Sequence, residues 1–530
     1  MRKQERLDAT RARRLISFVV PLALAAYAFC ALAVWTEPDW RPEWDSALYI
    51  LTGRSLAAGE GYGYLGAPFV LRPPGFPWLI SLVSQGPFDP ARLNLLVMAC
   101  AAASVGAVYF AFSRVERRAV ALGAALLAGT SPIVVERFNW VLSEFPFMTL
   151  LYLGFGLVAL VAEGARARLA ALLAALVLAA AFWVRTVAML ALPGLLLLAV
   201  AQPTSERRRR FLFVLGATLL LCAPWWLWVR AVGSGSSDQL FLADYATALL
   251  RVDPGDPGSA WLSPRAWLGR VEENAVWLLR ILGHTTLGAP DARAGATVAA
   301  LVGVGVLRAV RRAPSLPEWF LLAYVALVLA YFVHEPRLVV PIVPLVYVHL
   351  LGAAAALGDL GSRLAARPAV RDGFVLLASL VLLAANASRL PSGLDQRQRL
   401  LITDMGEERT FGARWNDVER LARWIGANTP PDAVLLCHEA PVYALLTGRR
   451  VYTHRFAPGP GLLREIAPDF VVFDRRTREG LRLAKLVAAR ATRRWIVPSD
   501  QFEGGIAVYA LGGAADAGGS PAVEPAYDPR

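Results

Sequence analysis

The sequence predicts a polytopic α-helical membrane protein of about eleven spans with a small C-terminal α/β domain on the extracytoplasmic side. Three observations predict it. First, 56% of the 530 residues are hydrophobic, 18% are charged and the mean hydropathy is +0.47, which soluble chains rarely combine with repeated near-charge-free runs. Second, arginine clusters fall in every second connection between those runs. Third, the composition turns to that of a soluble domain from about Ser388.

The net charge is +13. Such a balance can signal nucleic acid, but here the arginines sit between apolar runs, so membrane orientation explains them and a nucleic-acid partner is excluded. Of the 4 cysteines, Cys30, Cys100 and Cys222 lie in apolar runs and Cys437 stands alone in the tail. Neither a disulfide framework nor a zinc-binding spacing is present.

Residues 1–14 are basic and are read as cytoplasmic. Leu15–Trp35 is long enough to cross a bilayer, which takes roughly 20 residues, and no small-residue cleavage site follows it, so it reads as a retained span. Further candidate spans are Leu93–Phe112, Ala119–Val135, Phe145–Val161, Leu169–Val184, Val187–Ala201, Phe211–Val229, Ala294–Leu307, Trp319–Val333, Leu338–Leu357 and Phe374–Ala387. With the N-terminus inside, every second connection should be basic. Those connections hold Arg114, Arg117 and Arg118; Arg166 and Arg168; Arg207 to Arg210; Arg308, Arg311 and Arg312; and Arg363, Arg367 and Arg371. The alternation runs the length of the membrane part, 15–387, and puts the loops 36–92 and 231–293 outside, together with everything after Ala387.

The first outer loop holds Trp44–Pro77, on which the rest of the chain is organised. Asp45 heads a short helical pattern, and Tyr49, four residues on, shares its face. The alternation GEGYGYLG breaks a helix, because glycine favours turns. Pro73 and Pro74 then forbid a regular helix and fix an extended corner. Read alone, Asp45 is a helix N-cap. The second outer loop carries helical spacing over Ala260–Leu282 with Trp261, Trp267 and Trp277. That pattern suits either a helix lying on the headgroups or ordinary loop packing.

From Ser388 to Gly512 the pattern is α/β. Ala413–Asn428 is an amphipathic helix with Trp415, Val418, Leu421 and Ile425 on one side. Ala433–Cys437, Arg450–Thr453, Asp469–Phe473, Arg494–Val497 and Ile506–Leu511 read as strands, with a helix over Arg478–Arg490. Residues 513–530 read as a disordered tail.

Ionisable residues in a membrane protein are informative because they are costly there. Asp45, Arg72, Glu136, Arg137, Glu144, Arg185, His334, Glu335 and Arg337 all fall at the outer ends of candidate spans. Arginines bind phosphate bidentately and stay charged. Carboxylates accept a proton from an attacking hydroxyl or hold a divalent cation. The inventory suits a reaction on a phosphate-linked lipid at the outer leaflet. Taken singly, the residues also suit snorkelling arginines, the local pairs Glu136–Arg137 and Glu335–Arg337, and helix caps.

Four stretches carry a resemblance: Glu43-Trp44-Asp45 with Tyr49; Arg72-Pro73-Pro74-Gly75-Phe76-Pro77; Leu142-Ser143-Glu144-Phe145-Pro146; and Arg337-Leu338-Val339-Val340-Pro341 with Pro344. In order and in topology, from about Leu15 to Leu357, the chain resembles the polytopic glycosyltransferases of fold class C (GT-C). Within them it is similar to the group of bacterial protein O-mannosyltransferases, aminoarabinose transferases and galacturonosyltransferases. Many of those relatives have adjacent Asp-Glu where Asp45 is followed by Ser46, and here Glu43 gives a Glu-x-Asp pattern instead.

The resemblance implies a multi-pass protein of the inner (plasma) membrane that moves a hexose or pentose from a polyprenyl-phosphate donor to an extracytoplasmic lipid, glycan or protein. It marks Asp45 as the essential acidic residue; to this the outer-layer chemistry read above adds Glu144 as a second catalytic residue, Arg72, Arg185 and Arg337 on the donor phosphate, and Glu43, Tyr49 and His334 in support. No cofactor is required by this pattern. A divalent metal, if one is used, would fall to Asp45 and Glu43. Direct displacement with inversion needs one carboxylate base, whereas retention usually needs a carboxylate nucleophile. The competing reading is a transporter or flippase of lipid-linked sugars, which would place ionisable groups and broken helices near the midplane and repeat its halves.

Overall fold

The computed structural model describes residues 19–511 except 34–35, 37–39, 42, 85, 87, 164–166, 234–248, 253–258, 366–368, 391–412, 455–459, 475–477, 500–501 and 503–504. The basic N-terminus and the tail from 512 lie outside the described residues. Over its described residues each candidate span falls on helical structure; residues 15–18 and 34–35 of the first lie outside the described residues. Among the described residues six helices are long and apolar enough to cross a membrane: Pro90–Val115 (α4), Glu144–Glu163 (α7), Ala167–Val184 (α8), Ser205–Val232 (α10), Ala292–Arg312 (α12) and Pro336–Ser362, which runs into the α-helix Val343–Ala365 (α14). Five shorter apolar stretches are also helical, namely Val19–Ala33 (α1), Arg118–Thr130 (α5), Thr186–Val200, Leu316–Ala330 (α13) and Asp372–Ala387.

The bundle core is aromatic where α4, α7 and α13 meet. Phe112, Tyr152, Phe155 and Phe320 pack ring against ring there, with centroids 5.5–5.9 Å apart. Such offset and edge arrangements add to area burial. Two ends of the bundle are distinguished by charge. At one, Glu116 receives Arg308 at 3.0 Å and Arg312 at 3.2 Å, Arg117 meets Asp372 at 3.3 Å, and Arg114 meets Glu163 at 3.7 Å. Arginines from alternate connections thus lie together, as the charge alternation requires. Asp45, Arg72, Arg185 and Arg337 gather elsewhere, with one another.

Over its described residues the loop 36–92 is a helix, a hairpin and a second helix. Helix α2 (Trp44–Ala57) starts from Glu43, whose backbone is extended and whose side chain makes no capping bond. Asp45 is therefore inside the first turn and is not the cap that it resembles from sequence alone. Helix α2 ends where Gly59 and Gly61 adopt positive φ. Strands β1 (Gly63–Tyr64) and β2 (Ala67–Pro68) pair antiparallel across Leu65–Gly66, both with positive φ, as in the two-residue I′ hairpin.

The expected extended corner at Pro73-Pro74 is shorter than the sequence suggests, because helix α3 (Gly75–Val83) begins immediately after Pro74. Pro77 is tolerated in its first turn, where the missing N–H has no intrahelical partner anyway. Gly75 is needed at this corner for a specific reason: a Cβ there would stand 2.5 Å from the Trp183 carbonyl oxygen.

Two 3₁₀ segments interrupt the helical layer, Thr186–Leu190 and Pro336–Ile342. Their carbonyls lack ordinary helical partners. Tyr152 donates to the Pro341 carbonyl at 2.8 Å and Tyr324 to Leu338 at 2.7 Å. The segments follow, or carry, Arg185 and Arg337, so broken backbone is spent at the charged layer.

Helix α11 (Pro264–Leu287) packs on α12 and on α13. Asn274 bonds the end of α13, and Arg389 beyond the helix Ala369–Ala387 (α15) donates to the carbonyls of His284 and Thr285. Backbones of α11 and α12 touch at Leu279 and Gly295, where a Cβ on Gly295 would stand 1.7 Å from the Leu279 oxygen. Trp261 (58% exposed) and Leu268 (62%) lie near its N-terminal end.

The C-terminal part is a five-stranded sheet in the order β4-β3-β5-β7-β6. Its strands are β3 (Val434–Cys437), β4 (Arg450–Thr453), β5 (Phe470–Phe473), β6 (Ala491–Val497) and β7 (Ile506–Leu511). The first three are parallel, with Leu435 opposite both Val451 and Phe470, and β7 and β6 are antiparallel. Helix α16 (Ala413–Asn428) buries Val418, Leu421 and Ile425, the face expected from its periodicity. Two helices not expected from sequence, Ala440–Thr447 (α17) and Pro460–Ile466 (α18), make the crossovers, and Arg478–Ala488 (α19) follows β5. The sheet is seated on the first outer loop: α17 packs against α2, and Tyr64 donates to the Val451 carbonyl at 3.2 Å.

Candidate active site

Asp45 is the centre of the charged layer. Its place in the first turn of α2 turns the carboxylate toward the corner after the hairpin and toward the second 3₁₀ segment. Arg72 donates to Oδ1 at 2.6 Å and Arg337 stands 2.5 Å from Oδ2. Each carboxylate oxygen thus has its own guanidinium, and Asp45 is only 8% exposed. Burial pushes its carboxyl up, but the charges and hydrogen bonds of Arg337 and Arg72 outweigh it, and hold the group well below the usual carboxylate range.

A second ion pair lies beside the first. Arg185 donates to Glu144 Oε1 at 2.6 Å and to Ser143 Oγ at 3.1 Å. Ser143 Oγ is also 3.0 Å from the Tyr49 hydroxyl. The Arg72 guanidinium lies over the Tyr49 ring, 5.1 Å from its centroid, and Phe76 meets that ring edge-on at 5.0 Å. Tyr49 therefore touches both pairs. Glu144 keeps one buried carboxylate oxygen, Oε2, with no hydrogen-bond partner.

Supporting contacts hold the corner in place. Tyr62 donates to the Arg72 carbonyl at 2.8 Å, and Trp40 donates to Ser46 Oγ at 2.6 Å from beneath the start of α2.

Of the residues singled out in the sequence, the structure brings together Asp45, Tyr49, Arg72, Glu144, Arg185 and Arg337. The other two have the following places. Glu43 occupies the N-cap position of α2. His334 bonds Asn274 at 2.6 Å and stacks on Trp277 at 5.4 Å. The local pair Glu335–Arg337 does not form: Arg337 turns to Asp45, and Glu335 stands 3.9 Å from Arg137. Arg137 also lies 3.8 Å from Glu136 and over the Trp140 ring at 4.3 Å. Ser143 and Asn274 were missed, Ser143 although it sits inside a quoted motif. A hydroxyl or an amide gains a role only from its partners, and nothing in the chain order marks them.

A divalent metal does not fit the candidate ligands as they stand. Both oxygens of Asp45 already carry guanidinium partners, so a cation would have to approach two positive charges. Among the described residues no group of three or more His, Cys, Asp or Glu side chains is placed to hold one.

No protein-family model and no curated protein matches the sequence. Solved structures do match it. ArnT from Cupriavidus metallidurans bound to undecaprenyl phosphate aligns with a TM-score of 0.56 and 15% identity, over 93% of this chain and 97% of that one. The archaeal oligosaccharyltransferase AglB from Archaeoglobus fulgidus, in complex with an inhibitory peptide and a dolichol-phosphate, aligns with a TM-score of 0.54 and 12% identity, over 86% of this chain and 70% of that one. At such identities the likeness is one of fold. The GT-C fold expected from the four motifs is the fold of this chain.

Proposed function

We propose that this chain is an integral membrane glycosyltransferase. It takes a sugar from a polyprenyl-phosphate carrier and passes it, with inversion, to an acceptor outside the cytoplasm. Eleven crossings would place the N-terminus inside and the α/β domain outside, in the inner (plasma) membrane. The sugar would be a hexose or a pentose. The structural neighbours support the donor class: one was solved with undecaprenyl phosphate, and the other with dolichol-phosphate and a peptide.

The observation that carries the proposal is the sharing of Asp45 between Arg72 and Arg337. Without substrate the single carboxylate offsets only one of the two guanidinium charges, so the cluster keeps a net positive charge. A phosphate entering this layer is a better counter-ion for two arginines than one carboxylate is, because a guanidinium binds phosphate bidentately. Donor binding would draw the arginines from Asp45, and with them the charge that suppresses its basicity. Asp45 then becomes a competent base where the acceptor hydroxyl attacks. The same arginines, joined by Arg185, stabilise the charge that grows on the departing phosphate. Glu144, held on one side by Arg185, has its second oxygen free to orient the acceptor.

The transporter alternative gains no support. Asp45, Arg72, Glu144, Arg185 and Arg337 are gathered in one layer at helix ends, as chemistry at a surface needs. The experiment is a transfer assay on purified protein with sugars carried on undecaprenyl phosphate. Transfer by the wild type that collapses in Asp45→Asn supports the proposal, whereas full transfer by the Asn variant refutes the base.

A further inference from the structure

We infer that Asn274, through His334, is the positioning residue that sets Arg337 against Asp45; the inference deepens the proposed function and its catalytic part rests on it. Helix α13 ends at Ala330, and its last carbonyls have no partners within the helix. Asn274, on α11, reaches across to them. Its Nδ2 donates to the Leu329 carbonyl at 2.8 Å and to the Tyr331 carbonyl at 2.6 Å. Two carbonyls fix which way the amide faces, since only nitrogen can serve both. Oδ1 is then the acceptor, and His334 donates its Nε2–H to it at 2.6 Å.

A second contact locks the same imidazole. Trp277, three residues from Asn274 and so on the same face of α11, stacks on His334 with planes 19° apart. Asn274 is 3% exposed. A buried amide is costly unless its groups are bonded, and here both donors and the oxygen are used.

The consequence lies three residues further on. Between Tyr331 and Glu335 the chain has no regular structure, and Arg337 follows in the 3₁₀ segment. On its far side that segment is held by Tyr324 at Leu338 and Tyr152 at Pro341. On its near side the Asn274–His334–Trp277 clamp holds it. Arg337 must meet Asp45 Oδ2 at 2.5 Å, and without this tether the near side is left with the longer Glu335–Arg137 contact at 3.9 Å. A displacement of about 1 Å in a positioned group is enough to cost function on the order of 100-fold.

The test uses the full-length protein in nanodiscs and two readouts, backbone hydrogen exchange over 331–337 and binding of undecaprenyl phosphate. Asn274→Ala should speed exchange in that stretch and weaken binding about 10-fold or more. His334→Ala should behave the same way. His334→Gln, which returns an amide donor to Asn274 Oδ1, should restore both readouts. Added to Arg337→Lys, Asn274→Ala should cost nothing further, because both act through one guanidinium. Faster exchange with unchanged binding, or a full additive loss in the double variant, would overturn the positioning role. If the wild type itself does not bind undecaprenyl phosphate, the donor assignment fails. Exchange then judges the clamp alone: unchanged protection in Asn274→Ala overturns it and lost protection upholds it.

Discussion

The hydroxyl of Tyr49 lies 3.0 Å from that of Ser143, and through this contact the Asp45 and Glu144 ion pairs form one network. Arg72 rests on the Tyr49 ring, while Arg185 bonds the Ser143 hydroxyl. A change at either pair is therefore felt at the other.

Asp45→Asn should separate binding from turnover. Loss of a general base costs roughly 10²–10⁴-fold in rate. The same change leaves Arg72 and Arg337 without their shared counter-ion, so affinity for undecaprenyl phosphate should rise. Equilibrium binding and turnover on one preparation check this, and weaker binding in the Asn variant would show that Asp45 does not compete with phosphate.

Arg337→Lys keeps the charge but gives up the fork that engages two oxygens at once. Turnover and undecaprenyl-phosphate affinity should both fall, the latter by about 1.5–3 kcal/mol if a charged hydrogen bond is lost. Kinetics at saturating and subsaturating donor will separate the two. Wild-type values in both would remove Arg337 from the site.

Gly75→Ala tests the corner that carries Arg72. Its Cβ would meet the Trp183 carbonyl, two residues from Arg185, so α3 must move from the end of α8. Overpacking of this kind costs typically 1–3 kcal/mol. A lowered unfolding temperature with impaired transfer is expected, and a silent substitution would show that the corner relaxes freely.

His454, which follows β4, makes the stability of the C-terminal part depend on pH. Burial holds its imidazole below the ordinary value of 6.5, aided by His438 and opposed by Asp474. The unfolded chain therefore binds the proton more readily than the folded one, and stability rises with pH in that range. It should be full above about pH 6.5 and decline as the pH falls below it. Unfolding followed between pH 8 and pH 5 checks this, and His454→Gln should flatten the dependence.

Much of this was legible in the sequence. Over their described residues the apolar segments became helical, two of them opening on 3₁₀ turns, because a run of apolar residues in a membrane has few alternatives. Strands β3, β4, β5 and β7 fell within a residue of expectation, since alternating β-branched and aromatic residues specify them. Helices α17 and α18 were hidden, being short and apolar without the periodicity of a surface helix. In the charged layer the participants were readable, but their pairing was not. Nothing in the order of residues says that Arg337 prefers Asp45, 292 positions away, to Glu335 beside it. That choice is made by the 3₁₀ segment, whose backbone turns the guanidinium inward. Asn274 was illegible for the same reason: a lone amide on a helix acquires meaning only from the carbonyls it meets.

The seat of the sheet on the first outer loop has one more consequence. Helix α2 has the bundle on one side and α17 on the other, with Tyr64 pinned to Val451. The two compositional halves of the chain are thus one folding unit where it matters. A truncation after Ser388 would not leave a minimal folded unit. It would strip one wall from the helix that holds Asp45 and expose an apolar flank to water, so the shortened chain should be recovered as a protease-sensitive species.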